Sequence, residues 1–342
     1  MEYVIHENTM GLTAGSQARE DFANILKVAG WNLVDVEVPH GSGVSMLLSS
    51  LFTNLKNWRN VLRACESADI LVIQYPLVMG KKISTTAIPY IKRIKSNGTK
   101  VVFLIHDLDS LRGGNELIEK AFLSQADGII AHNAKMRQVL LSRGMSAVVS
   151  SLEIFDYPMP QDTQFSQCEN GIDIAGNLDP RKAGYAYKLA ENFPDGRFNL
   201  FGPNFDEGAS ESKWYKGSYN PLDLIRVLHG RFGLVWDGDS VDTCSGYYGQ
   251  YLKVNNPHKL SMYLAFGKPV LIWNQAAEAE FVVRNGAGIA VSSIAEAVEI
   301  ERCMTSEEHQ RYVDGARAVG SRLRKGDFSL AAVNALEKDL AL

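Results

Sequence analysis

Five consecutive residues, Asn255-Asn256-Pro257-His258-Lys259, are arranged to hold an anion. Asn256 is expected to cap a helix and Pro257 to take its first position, where proline is favoured. Lys259 then falls in the first turn, where a cation opposes the helix dipole unless a ligand brings the opposite charge. Free N–H groups at a helix start beside a lysine suit a phosphate. The alternative is a capped surface helix with no ligand. Gly267 and Pro269 are expected to end the helix before a buried strand at Val270.

Five strand ends also carry residues that could do chemistry. Gly176-Asn177-Leu178-Asp179-Pro180-Arg181 follows one strand. Gly176 lets a ligand approach the backbone, and the Arg181 fork matches two oxygens of a diphosphate; the alternative is a solvated arginine. Trp236-Asp237-Gly238-Asp239-Ser240 follows another and runs into a long aromatic loop ending at Tyr251. Asp237 and Asp239 read either as a metal pair or as a tight turn. His106-Asp107-Leu108-Asp109, with Arg112 behind, could supply a general base, for which Asp107 is the first candidate; the alternative is a structural histidine at a strand end. His132-Asn133 is a weaker version of the same arrangement. In the loop after the first strand, Gly11 and Gly15 permit close approach and Ser16 could cap the next helix.

The elements that position these residues alternate. Buried strands are expected at 3–6, 33–38, 70–74, 101–105, 128–131 and 147–152, with helices at 16–29, 83–96, 115–124 and 135–142 between them. Gly30, Gly98 and Gly144 stand near three helix ends. A polar stretch at about 156–170 is the linker candidate. The pattern restarts with strands at 172–175, 198–201, 234–236, 270–273 and 289–291 and helices at 181–192, 221–229, 257–266 and 278–285. A last amphipathic helix spans 329–342. Alternation of this kind predicts two parallel sheets covered on both faces, with ligands at the carboxyl ends of the strands, in a cleft between the domains.

The chain has 342 residues, 46% hydrophobic, with net charge -4. That excludes a globally basic nucleic-acid binder. Cys65, Cys168, Cys244 and Cys303 are scattered, which argues against a disulfide framework or a zinc site. There is no basic, apolar leader and no run long enough to span a bilayer, so the cytoplasm is the expected compartment. No acid lies between Asp69 and Asp107, a gap holding Lys81, Lys82, Lys92, Arg93, Lys95 and Lys100. It reads as a solvated helix face or as docking for an anionic acceptor, a partner protein or the inner membrane face.

The run 233–272, with WDGDS, CSGYYGQY, NNPHK and LAFGKPV, resembles bacterial GT-B glycosyltransferases. It is similar to the group containing β-1,6-galactofuranosyltransferases and the glucosyltransferases that extend N-acetylglucosamine on serine-rich-repeat adhesins. Residues 175–178 and 200–203, and HDLDSLR at 106–112, fit the same group. The resemblance covers most of the chain and is densest in its second half.

The resemblance implies an α/β, GT-B fold of two Rossmann-like domains facing a cleft. Residues 1–156, joined by a C-terminal helix at about 320–342, would hold the acceptor; residues 157–319 would hold a UDP-sugar. It implies that Arg181 and Lys259 neutralise the diphosphate without a metal or cofactor. Gly15, Ser16, Gly176, Asn177, Phe201, Gly202, Asp237, Gly238, Tyr251, Asn255, Asn256 and His258 would bind the nucleotide-sugar. His106 and Asp109 would meet a glycan, glycolipid or glycoprotein acceptor. The paired glutamates of many retaining relatives are absent from this region, where Asn256, His258 and Phe266 stand, so the stereochemistry stays open. Two alternatives remain: a sugar-nucleotide epimerase of the same architecture, and a non-catalytic transferase-like subunit. Homo-oligomers are also compatible.

Overall fold

A computed structural model describes residues 1–7, 14–38, 44–78, 86–160 and 170–341. The chain divides into one unit of Met1–Asp156 with Gly326–Leu342 and a second of Tyr157–Lys325.

Unit 1 opens with β1 (Glu2–Glu7), α1 (Ala14–Val28), β2 (Asn32–Val36), α2 (Val44–Ala64), β3 (Ile70–Tyr75) and α3 (Ile88–Ser96). It continues with β4 (Lys100–Ile105), α4 (Glu116–Leu123), β5 (Gly128–Ala131), α5 (Ala134–Ser142) and β6 (Val148–Ser151). All its strand pairs are parallel, in the order β2-β1-β3-β4-β5-β6. The apolar runs of β3 and β4 are buried because both sheet faces are covered. Leu71, Ile73 and Tyr75 of β3 join one core with Trp58 of α2 and Ile91 of α3. Ile70 and Val72 point the other way, to Phe22 of α1 and Val333 near the C-terminus. That is the period-two alternation of a strand feeding two layers.

Unit 2 contains β7 (Ile172–Ala175), α6 (Pro180–Ala183), α7 (Leu189–Asn192), β8 (Phe198–Phe201), β9 (Tyr215–Gly217) and α8 (Pro221–Val227). Then come β10 (Phe232–Val235), α9 (Gly246–Tyr251), α10 (His258–Ala265), β11 (Val270–Trp273), α11 (Ala279–Arg284), β12 (Gly288–Val291), α12 (Ile294–Cys303) and α13 (Ser306–Leu323). Its six parallel strands run β12-β11-β10-β7-β8-β9. The last helix, α14 (Asp327–Asp339), returns to unit 1 and packs on β5, β6 and α1. Asp156 receives it: its carboxylate accepts from Phe328 N at 3.3 Å and Ser329 N at 2.6 Å, two of the amides a helix start leaves unpaired.

The alternating reading holds, with specific differences. Helices α2, α9, α12 and α13 and strand β9 are additions to it, α9 falling in the aromatic stretch expected to be loop up to Tyr251. The helix expected over 181–192 is broken into α6, a 3-10 stretch at Gly184–Lys188 and α7. The break has a cause: Tyr185 N donates to Gly238 O, and a Cβ on Gly184 would lie 3.1 Å from Asp239 Cα. Residues 161–169 of the proposed linker, with Cys168, lie outside the described residues. So do Gly11, Lys81 and Lys82. Cys65, Cys244 and Cys303 are free thiols. Among the described residues no helix is long and apolar enough to cross a membrane.

Candidate functional site

In each sheet the strand order reverses beside the first strand, which opens a crevice at the carboxyl ends. In unit 2 the reversal lies between β7 and β10. Their ladder pairs Ile172 with Phe232 and Gly233 with Asp173, and goes no further. Tyr263 of α10 fills the gap beyond it. Its hydroxyl accepts from Ala175 N at 2.7 Å and donates to Asp173 O at 3.0 Å, taking the bonds a neighbouring strand would have made. Gly233 makes room, because a Cβ there would sit 2.4 Å from the Tyr263 ring. The strands part, and their end loops face one space.

The loop after β10 is pinned by α10. Lys259 Nζ donates to Trp236 O at 2.8 Å and Asp237 Oδ1 at 2.8 Å. The helix starts one residue later than expected. Pro257 is the N-cap, extended at φ −73° and ψ 124°, and no side chain caps it. Asn256 is buried just before it. The other end is as expected: Gly267, at φ +67°, donates to Leu264 O, and Lys268 N to Tyr263 O, the double bond of a glycine-terminated helix. The His258 ring packs on Tyr157, 5.2 Å between centroids. Desolvation pushes its pKa down to about 4, so it is a neutral imidazole near pH 7.

The loop after β7 meets the same segment. Gly238 N donates to Lys182 O, next to Arg181. The Arg181 side chain does not reach for Lys259 in this structure. It is 86% exposed and forks onto Asp179, with Nε 2.9 Å and Nη2 2.6 Å from the two carboxylate oxygens. Arg181 holds the Asp179 carboxyl down at about 2. Asp179 also caps α6 through Arg181 N. Lys182 Nζ lies 5.9 Å from the centre of the Tyr248 ring. Tyr251 is buried, and its carbonyl accepts from Val254 N and Asn255 N, turning the chain toward α10.

Asp237 and Asp239 diverge in their partners. Asp237 faces Lys259, whereas Asp239 accepts from Ser245 Oγ, which holds its carboxyl below the ordinary value. Among the described residues no group of three or more His, Cys, Asp or Glu could hold a metal ion.

Gly176 and Gly202 touch backbone to backbone. Both have positive φ, +143° and +142°, and a Cβ on Gly202 would fall 1.7 Å from Gly176 O. The neighbouring Phe201, expected to flank the nucleotide, is buried, with its ring against Tyr219 and His229. Asn177 Oδ1 accepts from Asp179 N and Asn204 Nδ2, tying the two loops together. Sequence reasoning missed the stack of Tyr187, Phe205 and Tyr215, with centroid spacings of 5.3 and 4.5 Å. Tyr187 Oη donates to Leu178 O, and Tyr215 Oη to Gly202 O. The three residues are far apart in the chain and have no shared spacing, so only the fold assembles them.

Unit 1 reverses between β1 and β3. The carboxyl ends there are joined by a buried ion pair, Glu7 with Arg19 at 3.0 Å. Arg19 also donates to Gln74 O and Pro76 O, and Glu7 accepts from Val78 N at 2.7 Å. Gln74 Nε2 donates to Ile5 O and Arg19 O, so its Oε1 faces His106 Nε2, 2.7 Å away. His106 stacks on Phe155 at 5.3 Å. Asp107 pairs with Arg112 at 2.7 Å, both about one-third exposed. Asp109 opens a 3-10 turn, Asp109–Arg112, and its carbonyl accepts from Gly114 N. His132 is buried, its pKa lowered to about 4 by desolvation, and Asn133 caps α5 through Met136 N. Gly15 and Ser16 lie inside the first turn of α1, so Ser16 is not the cap expected.

Three comparisons bear on this arrangement. The family model of the glucosyltransferase 3-like N-terminal domain matches residues 2–154, and that of the C-terminal domain matches 172–336. The chain is 33% identical over 321 residues to the β-1,6-galactofuranosyltransferase WbbI of Escherichia coli K12, covering 92% of each chain. It is 25% identical to glucosyltransferase 3 of Streptococcus gordonii, covering 76% of this chain and 77% of that one. Among solved structures it resembles an α-glucosyltransferase in complex with UDP, with TM-score 0.62, 15% identity and full coverage of both chains. At that identity the likeness speaks to the GT-B fold.

Proposed function

The chain belongs to the glucosyltransferase 3-like family and is a glycosyltransferase of the GT-B fold, and from that premise we propose that it moves a hexose from a UDP-sugar to a glycan or glycoconjugate acceptor without a metal ion. Family membership answers the epimerase and the non-catalytic subunit in favour of a transferase. The observation that carries the donor reading is Lys259, fixed by Asp237 and the Trp236 carbonyl where β7 and β10 part. An ammonium has three N–H donors, and two are engaged here. The third serves a diphosphate oxygen. Arg181, exposed on the adjoining loop, leaves Asp179 for the second phosphate, a bidentate exchange of carboxylate for phosphate.

In the reaction the acceptor hydroxyl oxygen bonds to the anomeric carbon as its bond to the β-phosphate oxygen breaks. The hydroxyl proton goes to a base, and UDP leaves with one more negative charge than it carried in the donor, on the β-phosphate oxygen. Lys259 and Arg181 stabilise that charge more in the transition state than in the ground state. Gly176, Gly202 and Gly238 bring backbone close to the nucleotide, and Asn177, Tyr251, Asn255 and Asn256 shape the donor loops. Asp107 is the proposed base, released from Arg112 when acceptor binds, with His106 and Asp109 beside it. Galactofuranose, galactose and glucose are the candidate sugars, since relatives named for galactofuranosyl and glucosyl transfer both match.

Mass spectrometry of products from a panel of UDP-hexoses, with and without EDTA, tests the proposal. Turnover of one UDP-hexose, unchanged by EDTA, is expected. Strict loss with EDTA, restored by Mn²⁺, overturns the metal-free reading and returns Asp237 and Asp239 to a metal role.

A further inference from the structure

Helix α2 carries a stripe that donor chemistry does not use. Phe52, Lys56, Arg59 and Arg63 follow one another at intervals of four, three and four residues, which places them on one helix face. All four are exposed, Phe52 by 70%. The 21 residues of α2 contain no acid, and neither does α3, whose Lys92 and Arg93 are also exposed. From residue 38 to 106 the chain has nine lysines and arginines against two acids, although acids outnumber bases 39 to 35 overall.

The opposite face of α2 is fixed, so the stripe is held outward. Trp58 is fully buried and stacks on Tyr90, just inside α3, at 6.1 Å. Asn57 both donates to and accepts from the Glu37 backbone. The Glu37 side chain reaches Lys56 at 2.8 Å, but both are more than half exposed, and such a pair is worth little in water. A solvated basic face needs no aromatic ring in line with its cations. An interfacial helix does, because the ring enters the headgroup boundary while the cations meet lipid phosphates.

We propose that α2, with α3 beside it, docks this enzyme on an anionic phospholipid surface. The surface lies wholly in unit 1 and is independent of the donor assignment.

The test is co-sedimentation of the full chain with vesicles of phosphatidylcholine alone and with added phosphatidylglycerol. Binding to the anionic vesicles only, weakening with salt, is expected. Arg59→Gln with Arg63→Gln lowers that affinity about 25-fold, roughly fivefold for each cation. Lys92→Gln with Arg93→Gln on α3 gives a second, independent reduction, and Phe52→Ala weakens binding at all salt concentrations. UDP affinity stays at the parent value in every variant, which separates this proposal from the donor site. Equal binding to both vesicles, no binding to either, or undiminished binding by both double variants overturns it. Tighter retention by DNA or polyglutamate than by the anionic vesicles also overturns it, in favour of a nucleic acid or an acidic protein.

Discussion

The Lys259 ammonium and the Asp237 carboxylate, 22 residues apart, meet at 2.8 Å with side chains only 13% and 6% exposed. The pair joins a helix start to the end of the adjacent strand, so the cation is in place before a ligand arrives. Such preorganisation favours the charge that develops on a leaving group. Lys259→Ala is expected to weaken UDP binding tenfold or more, roughly the loss of one charge-assisted hydrogen bond. The same variant leaves Asp237 buried and unpaired, at a cost of about 3 kcal/mol in stability. Lys259→Ala with Asp237→Asn recovers stability but not affinity. Calorimetry with UDP and thermal melts read the two effects separately, and unchanged UDP affinity in Lys259→Ala sinks the diphosphate assignment.

Two glycines predict opposite outcomes. Gly202→Ala drives a Cβ to 1.7 Å from Gly176 O at a positive φ, so it should destabilise unit 2 by about 3 kcal/mol or prevent its folding. Gly15→Ala places a methyl in open space in the first turn of α1 and should be neutral or stabilising by about 0.5 kcal/mol. Chemical denaturation of each variant checks the signs. A harmless Gly202→Ala would mean the two loops do not touch as described.

Tyr263→Phe removes the hydroxyl that bridges the parted strands. It leaves Ala175 N and Asp173 O buried without that partner, a loss of about 1–3 kcal/mol. UDP affinity should fall with stability, because the crevice is shaped by that bridge. A lower melting temperature with unaltered UDP binding would confine Tyr263 to packing.

Asp156 and His258 give pH dependences of opposite sign. Burial raises Asp156 from 3.8 to about 6 despite its bonds to α14, so its contribution is full below pH 3.8 and lost as pH rises through 6. His258 falls from 6.5 to about 4, so its contribution is full above pH 6.5 and lost as pH falls through 4. Denaturation at a series of pH values should show Asp156→Asn removing the first slope and His258→Gln the second. Slopes identical to the parent in both variants would refute the assigned burial.

Much of this fold is legible in residue order. Buried strands such as Ile70–Tyr75 announce themselves by β-branched runs, and Gly267 marks the end of α10 by its freedom at positive φ. Helix α2 was harder to read because its buried face includes Asn54 and Asn57, polar residues that belong to a core only once their partners are known. The expected Asn256 cap failed because Pro257, extended, takes that place. Among site residues, Lys259 and Asp237 could each be singled out, but their pairing depends on α10 packing against β10. The Glu7–Arg19 pair and Gln74 left no local trace at all, since a strand residue gives no sign of which helix will meet it.

The return of α14 sets an order of assembly. Unit 2 lies entirely between the two pieces of unit 1 along the chain. A ribosome therefore releases every residue of unit 2 before the layer that covers Ile70 and Val72 on β3 is complete. Strands β1 to β6 emerge first yet wait longest for their cover, and Asp156 waits with them for the amides of Phe328 and Ser329. The earliest-made half of the enzyme is thus the last to finish.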